Sequence, residues 1–130
     1  MMQPSRNTIQ KKLVYEALLH LDNHPTAEEI FAEIGNTHTQ VSRGTVYRIL
    51  NQLAEQKGIS RIRVPNGADR FEAIVLPHYH MRCKCCGRIY DMREVSPEDI
   101  HIRVPDTEEY QITGYMILFE GICRDCSESI

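Results

Sequence analysis

Residues 77–87 read PHYHMRCKCCG, so two histidines lie directly before a Cys-x-x-Cys pair. In an extended segment, side chains two positions apart leave the chain on the same face, so His78 and His80 can bind one ion together. Cys83 and Cys86 flank a short turn, a spacing typical of the first half of a zinc site with four cysteine ligands. The stretch therefore predicts two adjacent metal sites.

A second Cys-x-x-Cys pair, Cys123 and Cys126, follows after 36 intervening residues. That distance exceeds a minimal zinc ribbon, so a small domain is expected to fold between the pairs. Four such thiolates indicate structural zinc, whose binding energy stabilises a domain with a small core. Redox dithiols and an iron–sulfur cluster are the alternatives. The fifth thiol, Cys85, is interpreted as a small side chain in the turn.

Size and composition predict a cytoplasmic globular protein with one compact domain or two small ones. The chain has 130 residues, of which 42% are hydrophobic and 25% charged, which is ordinary for such proteins. No apolar run approaches the roughly 18 residues that span a bilayer, and no signal segment is apparent, so no membrane association is expected. A reducing cytoplasm favours metal binding over disulfides.

Charge is divided unequally, although the formal net charge is only −3. Residues 1–70 carry nine Lys and Arg against seven Asp and Glu, whereas residues 71–130 carry six against eleven. The metal-ligand cluster thus lies in the acidic part. The basic excess of the first part is too small to predict DNA binding by itself.

Three segments of the first half have the apolar spacing of helices. Thr26 and Glu29 form a capping box for the second, and Ser42 caps the third. The predicted helices cover residues 8–21, 27–34 and 43–57. The exposed face of the third presents hydrogen-bond donors that reach phosphates and base edges, with an ordinary solvated face as the alternative. These residues are Arg43, Thr45, Tyr47, Arg48, Asn51 and Gln52.

Two short strands follow, at residues 59–64 and 70–75, joined by a hairpin turn at Asn66–Gly67. Three helices followed by a β-hairpin is the order of a winged-helix DNA-binding domain. The third helix would then enter the major groove, and Arg61 and Arg63 would lie on the wing beside the DNA backbone. This combination favours DNA binding.

Pro77 marks the expected boundary between domains at residues 1–76 and 77–130. In the second domain the pattern predicts strands at residues 88–92, 110–112 and 115–120. Ser96–Pro97 is typical of a helix start and predicts a short helix over residues 96–104.

The paired histidines are expected to share their ion with further ligands, for which His24, Glu72 and Asp91 are the candidates. Nitrogen and oxygen ligands without sulfur favour iron(II) or manganese(II). The other histidines have no such pattern and are interpreted as surface residues; they are His20, His38 and His101.

Seven motifs, spread over almost the whole chain, resemble those of the ferric uptake regulator family in the same order. They are TIQK (8–11), HPTAEEI (24–30), GTVYRILNQL (44–53), DRFE (69–72), HYH (78–80), CKCCGRIYD (83–91) and GICRDC (121–126). The resemblance implies an α+β fold, with an N-terminal winged-helix DNA-binding domain and a small C-terminal α/β dimerisation domain that holds a Cys₄ zinc. It also implies a homodimer and a regulatory metal.

Carried over by position, the resemblance implies a DNA contact at Lys11 and five regulatory ligands. The ligands are His24, Glu72, His78, His80 and Asp91. Tyr79 between the histidines, together with Asp91, resembles the peroxide-responsive branch, whereas Glu72 resembles the iron-sensing branch.

The implied function is a repressor that binds palindromic operator DNA as a dimer when iron(II) or manganese(II) is bound. In the peroxide-responsive branch, iron and hydrogen peroxide oxidise a ligand histidine, His24 or His78 here, and the metal is released. Reversible iron sensing is the alternative. A metal-dependent enzyme is disfavoured because no separate general base is evident. A zinc-stabilised interaction module without DNA binding is a third class.

Overall fold

The computed structural model describes residues 5–105 and 107–129. The chain divides into two compact units, Met1–Val75 and Leu76–Ile130, called here the N-terminal and the C-terminal unit. Within the described ranges, no helix combines the length and the apolar character that crossing a membrane requires.

The N-terminal unit begins with the helices α1 (Arg6–His20), α2 (Ala27–Gly35) and α3 (Arg43–Glu55). The predicted caps are present: Thr26 and Glu29 form the capping box of α2, and the Ser42 side chain accepts from the backbone of Thr45. Four helix ends differ from prediction, two of them by one residue and two by two residues. Helix α1 begins earlier because Ser5 caps it, and α3 ends before Lys57, which takes a left-handed φ of 60°.

The core of the N-terminal unit consists of aliphatic side chains that the three helices bury together. Val14 of α1, Ile30 of α2 and Ile49 of α3 are completely buried. Phe71, from the strand that follows the helices, closes this core at 3% exposure. The packing therefore fixes the orientation of α3 against the strand pair.

That strand pair comprises β1 (Ser60–Ile62) and β2 (Arg70–Glu72), which run antiparallel with Ser60 opposite Glu72. The predicted two-residue turn at Asn66–Gly67 is wrong. The backbone N–H of Gly67 donates to the carbonyl of Val64 at 3.2 Å, so Pro65 and Asn66 are the central residues. Pro65 presets φ at the first central position of the turn. Asn66, with φ 60°, occupies the second central position, which is left-handed in a type II turn.

The C-terminal unit is built on a sheet with the order β4-β3-β5. Its strands are β3 (Tyr79–Cys83), β4 (Ile89–Met92) and β5 (Leu118–Gly121), followed by the short helix α4 (Arg124–Glu128). Strand β3 pairs antiparallel with β4 and parallel with β5. Because β3 is the central strand, the metal-ligand stretch lies between β4 and β5.

The predictions between β4 and β5 are wrong in two places. The expected helix over residues 96–104 is only a 3₁₀ turn at Pro97–Asp99, and residues 110–112 form no strand. Ile100, Ile102 and Val104 recur at every second position, which opposes a helical apolar stripe. Several large apolar side chains of this segment are exposed: Ile102, Val104, Tyr110, Ile112, Tyr115 and Met116.

Candidate metal centres and nucleic-acid interface

The four cysteines of the two Cys-x-x-Cys pairs meet at one end of the sheet. Cys83 ends β3, and the parallel strand β5 leads directly to Cys123. The backbone N–H of Lys84 donates to the carbonyl of Gly121 at 2.8 Å, which holds the two chain segments side by side. As a result, one sulfur atom from each of the four cysteines lies within 4.8 Å of the others.

This cluster fits a tetrahedral zinc ion. With zinc–sulfur bonds of about 2.3 Å, neighbouring sulfurs of a tetrahedron lie roughly 3.8 Å apart, and the sulfurs of Cys86 and Cys123 are separated by 3.8 Å. A hydrogen bond from the Cys123 backbone N–H is the largest of the causes that lower the pKa of Cys83 to about 5. A lowered pKa favours the thiolate of Cys83, the form that zinc binds.

Tyr90, on β4, is a neighbour of this cluster that sequence reasoning did not find. A hydrogen bond from its hydroxyl is the largest of the causes that lower the pKa of Cys123. The same contact, followed by burial, raises the pKa of Tyr90. Tyrosine is common in strands, so the sequence gives no signal of this contact, which depends on how the sheet and the Cys123 segment fold together.

The C-terminal unit also holds the first predicted group of nitrogen and oxygen ligands. His80 of β3 lies directly opposite Asp91 of β4, so both side chains lie on the same face of the sheet. Asp91 Oδ1 is 3.2 Å from His80 Nε2 and 3.1 Å from His78 Nε2. Cys83 follows His80 by an odd number of positions along β3, so its side chain leaves the sheet on the opposite face from His80.

The hydrogen bonds of His78 make this group suitable for a cation. Its Nδ1 is 2.7 Å from the carbonyl oxygen of Leu76, which only accepts, so Nδ1 carries a proton. In a neutral ring Nε2 then presents a lone pair to Asp91 Oδ1. These two atoms are both acceptors and lie 3.1 Å apart, so a proton or a metal ion is required between them. Two imidazole nitrogens and a carboxylate are ligands suited to iron(II) or manganese(II).

The N-terminal unit holds the other predicted ligands, His24 and Glu72, as a buried pair. His24 Nε2 lies 3.1 Å from Glu72 Oε2, with side-chain exposures of 10% and 8%. Asn23 and His24 both adopt left-handed backbone, with φ of 72° and 60°. The guanidinium of Arg70 donates to the His24 carbonyl at 3.2 Å, which ties this turn to β2.

Two of the predicted DNA contacts at the start of α3 have partners within the protein. Glu28 Oε1 accepts from Arg43 at 2.6 Å, and Glu28 Oε2 accepts from the hydroxyl of Tyr47 at 3.2 Å. The Arg43 guanidinium lies 5.1 Å above the ring of Phe31. Partial burial, followed by the hydrogen bond to Glu28, raises the pKa of Tyr47. Sequence reasoning missed Glu28, which it assigned only to the start of α2.

A similar arrangement joins α3 to the wing, the name used here for β1, β2 and their connecting loop. The guanidinium of Arg61 donates to the side-chain oxygen of Asn51 and lies 5.2 Å above the ring of Phe71. Its Nε is 3.8 Å from Asp69. Arg61 and Asn51 thus connect the wing to α3.

The other predicted DNA contacts differ in exposure. Arg48 and Arg63 are exposed, whereas Lys11 is half-buried. Thr45 shares a hydrogen bond of 2.9 Å with Ser42 at the start of α3. Of the histidines assigned to the surface, His20 has a partner that the sequence did not predict, since its Nδ1 is 2.7 Å from Glu33 Oε1.

Three helices followed by an antiparallel strand pair, together with a four-cysteine cluster, define a class of metal-responsive regulators with a winged-helix unit. The sequence pattern of the ferric uptake regulator family matches residues 3–119. This chain belongs to that family, and its mixture of helices and small sheets confirms the predicted α+β fold.

The relatives include both iron and peroxide regulators. A ferric uptake regulation protein of Campylobacter upsaliensis is 30% identical over 123 residues, covering 92% of this chain and 79% of that protein. The peroxide operon regulator of Bacillus subtilis is 24% identical over 123 residues, covering 95% and 85%. Among solved structures, the Campylobacter jejuni peroxide stress regulator matches with a TM-score of 0.67 and 26% identity, covering 93% of this chain and 91% of that one.

Proposed function

We propose that this protein is a transcriptional repressor that binds a palindromic operator as a homodimer when iron(II) or manganese(II) occupies its regulatory site. The observation that carries the proposal is that each unit holds its own histidine–carboxylate group. Glu72 belongs to strand β2 of the wing and pairs with His24. His78, His80 and Asp91 lie together at the sheet of the C-terminal unit.

Neither group by itself offers the five or six ligands typical of iron(II) or manganese(II). We propose that one ion takes ligands from both groups and thereby restricts how the two units are oriented. The ion shifts this equilibrium by its preference for the restricted state, and a preference of about 5.5 kcal/mol takes the active fraction from 1% to 99%.

The Cys₄ cluster has a structural role in this proposal. Zinc bound by Cys83, Cys86, Cys123 and Cys126 joins the end of the C-terminal unit to its central strand, and its binding energy adds to the folding energy. The exposed apolar side chains between β4 and β5 supply the surface for the homodimer, since exposed apolar patches mark interaction sites.

The DNA-contacting surface comprises α3 in the major groove and the wing beside the backbone. Thr45, Arg48 and the ring of Tyr47 belong to the exposed start of α3, and Arg63 and Lys11 supply charge for phosphates. In a dimer, two α3 helices would read half-sites about 34 Å apart, which accounts for a palindromic operator.

For the sensed signal, we propose peroxide, with reversible iron sensing as the alternative. Bound iron(II) supplies the activation of hydrogen peroxide. In the net reaction an imidazole C–H of His24 or His78 gains one oxygen atom, and peroxide is reduced to water. The oxidised ring binds metal poorly, so the repressor leaves DNA. Relatives named for both signals support both versions.

The test measures operator binding with manganese, with iron, and with a chelator that leaves zinc in place. Binding is expected only with the regulatory metal, and metal-indifferent binding would contradict the proposal. Mass spectrometry after iron and peroxide should show one added oxygen atom on a peptide containing His24 or His78. Unmodified peptides would favour iron sensing.

A further inference from the structure

We propose that Glu28 is a specificity-determining residue of the DNA-contacting surface, because its carboxylate binds Arg43 and Tyr47 and keeps both from DNA phosphates. The inference rests on the proposed DNA-binding function. It revises the prediction that Arg43 itself contacts DNA, and it assigns a role to an acidic residue of α2.

The geometry uses both oxygens of the carboxylate. Oε1 of Glu28 accepts from Arg43 Nη2 at 2.6 Å, and Oε2 accepts from the Tyr47 hydroxyl at 3.2 Å. Arg43 and Tyr47 are four residues apart, so they lie on one face of α3. Stacking of the guanidinium over Phe31 at 5.1 Å adds a third contact. One carboxylate therefore orients both side chains at the start of α3.

Glu28 lies at a position of α2 where acidic side chains are favoured. It is the second residue of α2, where the partial positive charge of the helix N-terminus stabilises an anion. The capping box of Thr26 and Glu29 fixes the backbone of this turn. The carboxylate of Glu28 is thus held in place, and nearby phosphates would have to displace it before they could bind Arg43.

The pair is accessible enough for that competition to matter. The side chains of Arg43 and Glu28 are 61% and 54% exposed, so the bond between them is solvated and exchangeable. Phosphate contacts supply sequence-independent affinity, whereas specificity also needs groups that repel the wrong contacts. When Glu28 neutralises the charge of Arg43, the protein has a lower affinity for DNA of any sequence. Base recognition then depends on the rest of α3.

The experiment measures binding by fluorescence anisotropy with saturating manganese, as salt rises from about 50 to about 200 mM. One probe is a mixed-sequence duplex of about 25 base pairs, long enough for two half-sites. The other is an operator of equal length that the wild-type protein selects from a random pool. The variants are Glu28→Gln, Arg43→Gln and the double substitution, each checked by thermal unfolding.

Glu16→Gln is the matched control, because Glu16 is an exposed carboxylate of α1 that pairs with Lys12 at 3.9 Å. It removes the same charge and leaves Arg43 untouched. Any general effect of net charge on DNA binding will therefore appear equally in this variant.

Arg43→Gln alone should leave the salt dependence of wild-type binding unchanged. Glu28→Gln should steepen the slope of log affinity against log salt by about 0.9 for each phosphate that Arg43 gains. It should also tighten mixed-sequence binding about three- to tenfold at low salt, so that the preference for the operator falls. The double substitution should restore the wild-type slope.

A shallower slope for Arg43→Gln in the wild-type background would overturn the inference, as would a Glu28→Gln effect no larger than that of Glu16→Gln. Both outcomes leave the proposed repressor function intact, because the wild-type protein still binds its operator. Wild-type protein that binds neither duplex in a salt-dependent way would overturn both proposals.

Discussion

The backbone at His24 shows how a proposed ligand side chain is oriented at some cost in stability. Left-handed backbone costs about 1–3 kcal/mol for most non-glycine residues, although Asn and His tolerate it better than most. Asn23 and His24 adopt it in succession, just before Pro25. The turn persists because the N–H of Phe71 donates to the Pro25 carbonyl at 2.9 Å. The bonds to β2 thus hold His24 beside Glu72.

Replacing Glu72 with alanine is expected to destabilise the protein by about 1–3 kcal/mol without regulatory metal, since it removes a buried partner of His24. Urea unfolding monitored by circular dichroism, with a chelator present, measures the loss. The two side chains are in contact, so His24→Ala and Glu72→Ala should not add. The double variant should lose less than the sum of the single losses.

Glu16→Ala serves as the comparison, because substitutions of exposed side chains change stability by only about 0.5 kcal/mol. Strict additivity of the His24 and Glu72 effects would show that the buried pair does not contribute as a unit.

At the level of helices and turns, the sequence pattern predicted those features that are determined by residues close together in the chain. The apolar spacing of the first three helices is local, and so are their caps at Thr26 and Ser42. The type II turn was misplaced because Pro65–Asn66 and Asn66–Gly67 are both acceptable turn centres by local chemistry. In the structure, the hydrogen bond from the Gly67 N–H to the Val64 carbonyl distinguishes them.

The sequence pattern could not predict which distant segments of the chain pair with one another. The parallel pairing of β3 with β5 joins residues on either side of a long connection, and no local signal encodes it. The cysteine spacing predicted the four-sulfur cluster, because metal-ligand chemistry restricts which residues meet. The contacts of Glu28 with α3 depend on helix packing and could not be predicted.

Replacing Cys126 with serine is expected to remove the proposed structural zinc and unfold the C-terminal unit. Structural zinc in small domains contributes about 10–16 kcal/mol of apparent binding energy, more than a short three-stranded sheet can lose. The zinc content of the purified protein, by elemental analysis, and the protection of β3 in hydrogen exchange measure the effect.

Cys85→Ser provides the matched control, because Cys85 is an exposed cysteine next to the cluster but outside it. It should retain one zinc per chain and wild-type protection. Full zinc content in Cys126→Ser, or zinc loss in Cys85→Ser, would show that the four-sulfur assignment is incorrect.

For the molecule as a whole, the proposed repressor depends on coupling between two units that each have their own packing. The N-terminal unit has an aliphatic core, and the C-terminal unit depends on a sheet and the cysteine cluster. If the regulatory ion binds groups from both units, it stabilises both only while both are folded. Its binding energy then appears as cooperativity between their unfolding transitions.

Saturating manganese is therefore expected to raise both unfolding temperatures and bring them together in scanning calorimetry. At a metal concentration of about 100 times the dissociation constant, the stabilisation is about 2.7 kcal/mol. Although His24 and His80 lie in different units, His24→Ala and His80→Ala should abolish the shift in unfolding temperature to the same extent. His101→Ala, an exposed residue of the C-terminal unit, should retain it. A full shift in His24→Ala with none in His80→Ala would mean that the C-terminal unit alone holds the ion, and that metal binding does not couple the DNA-contacting surface to the dimer.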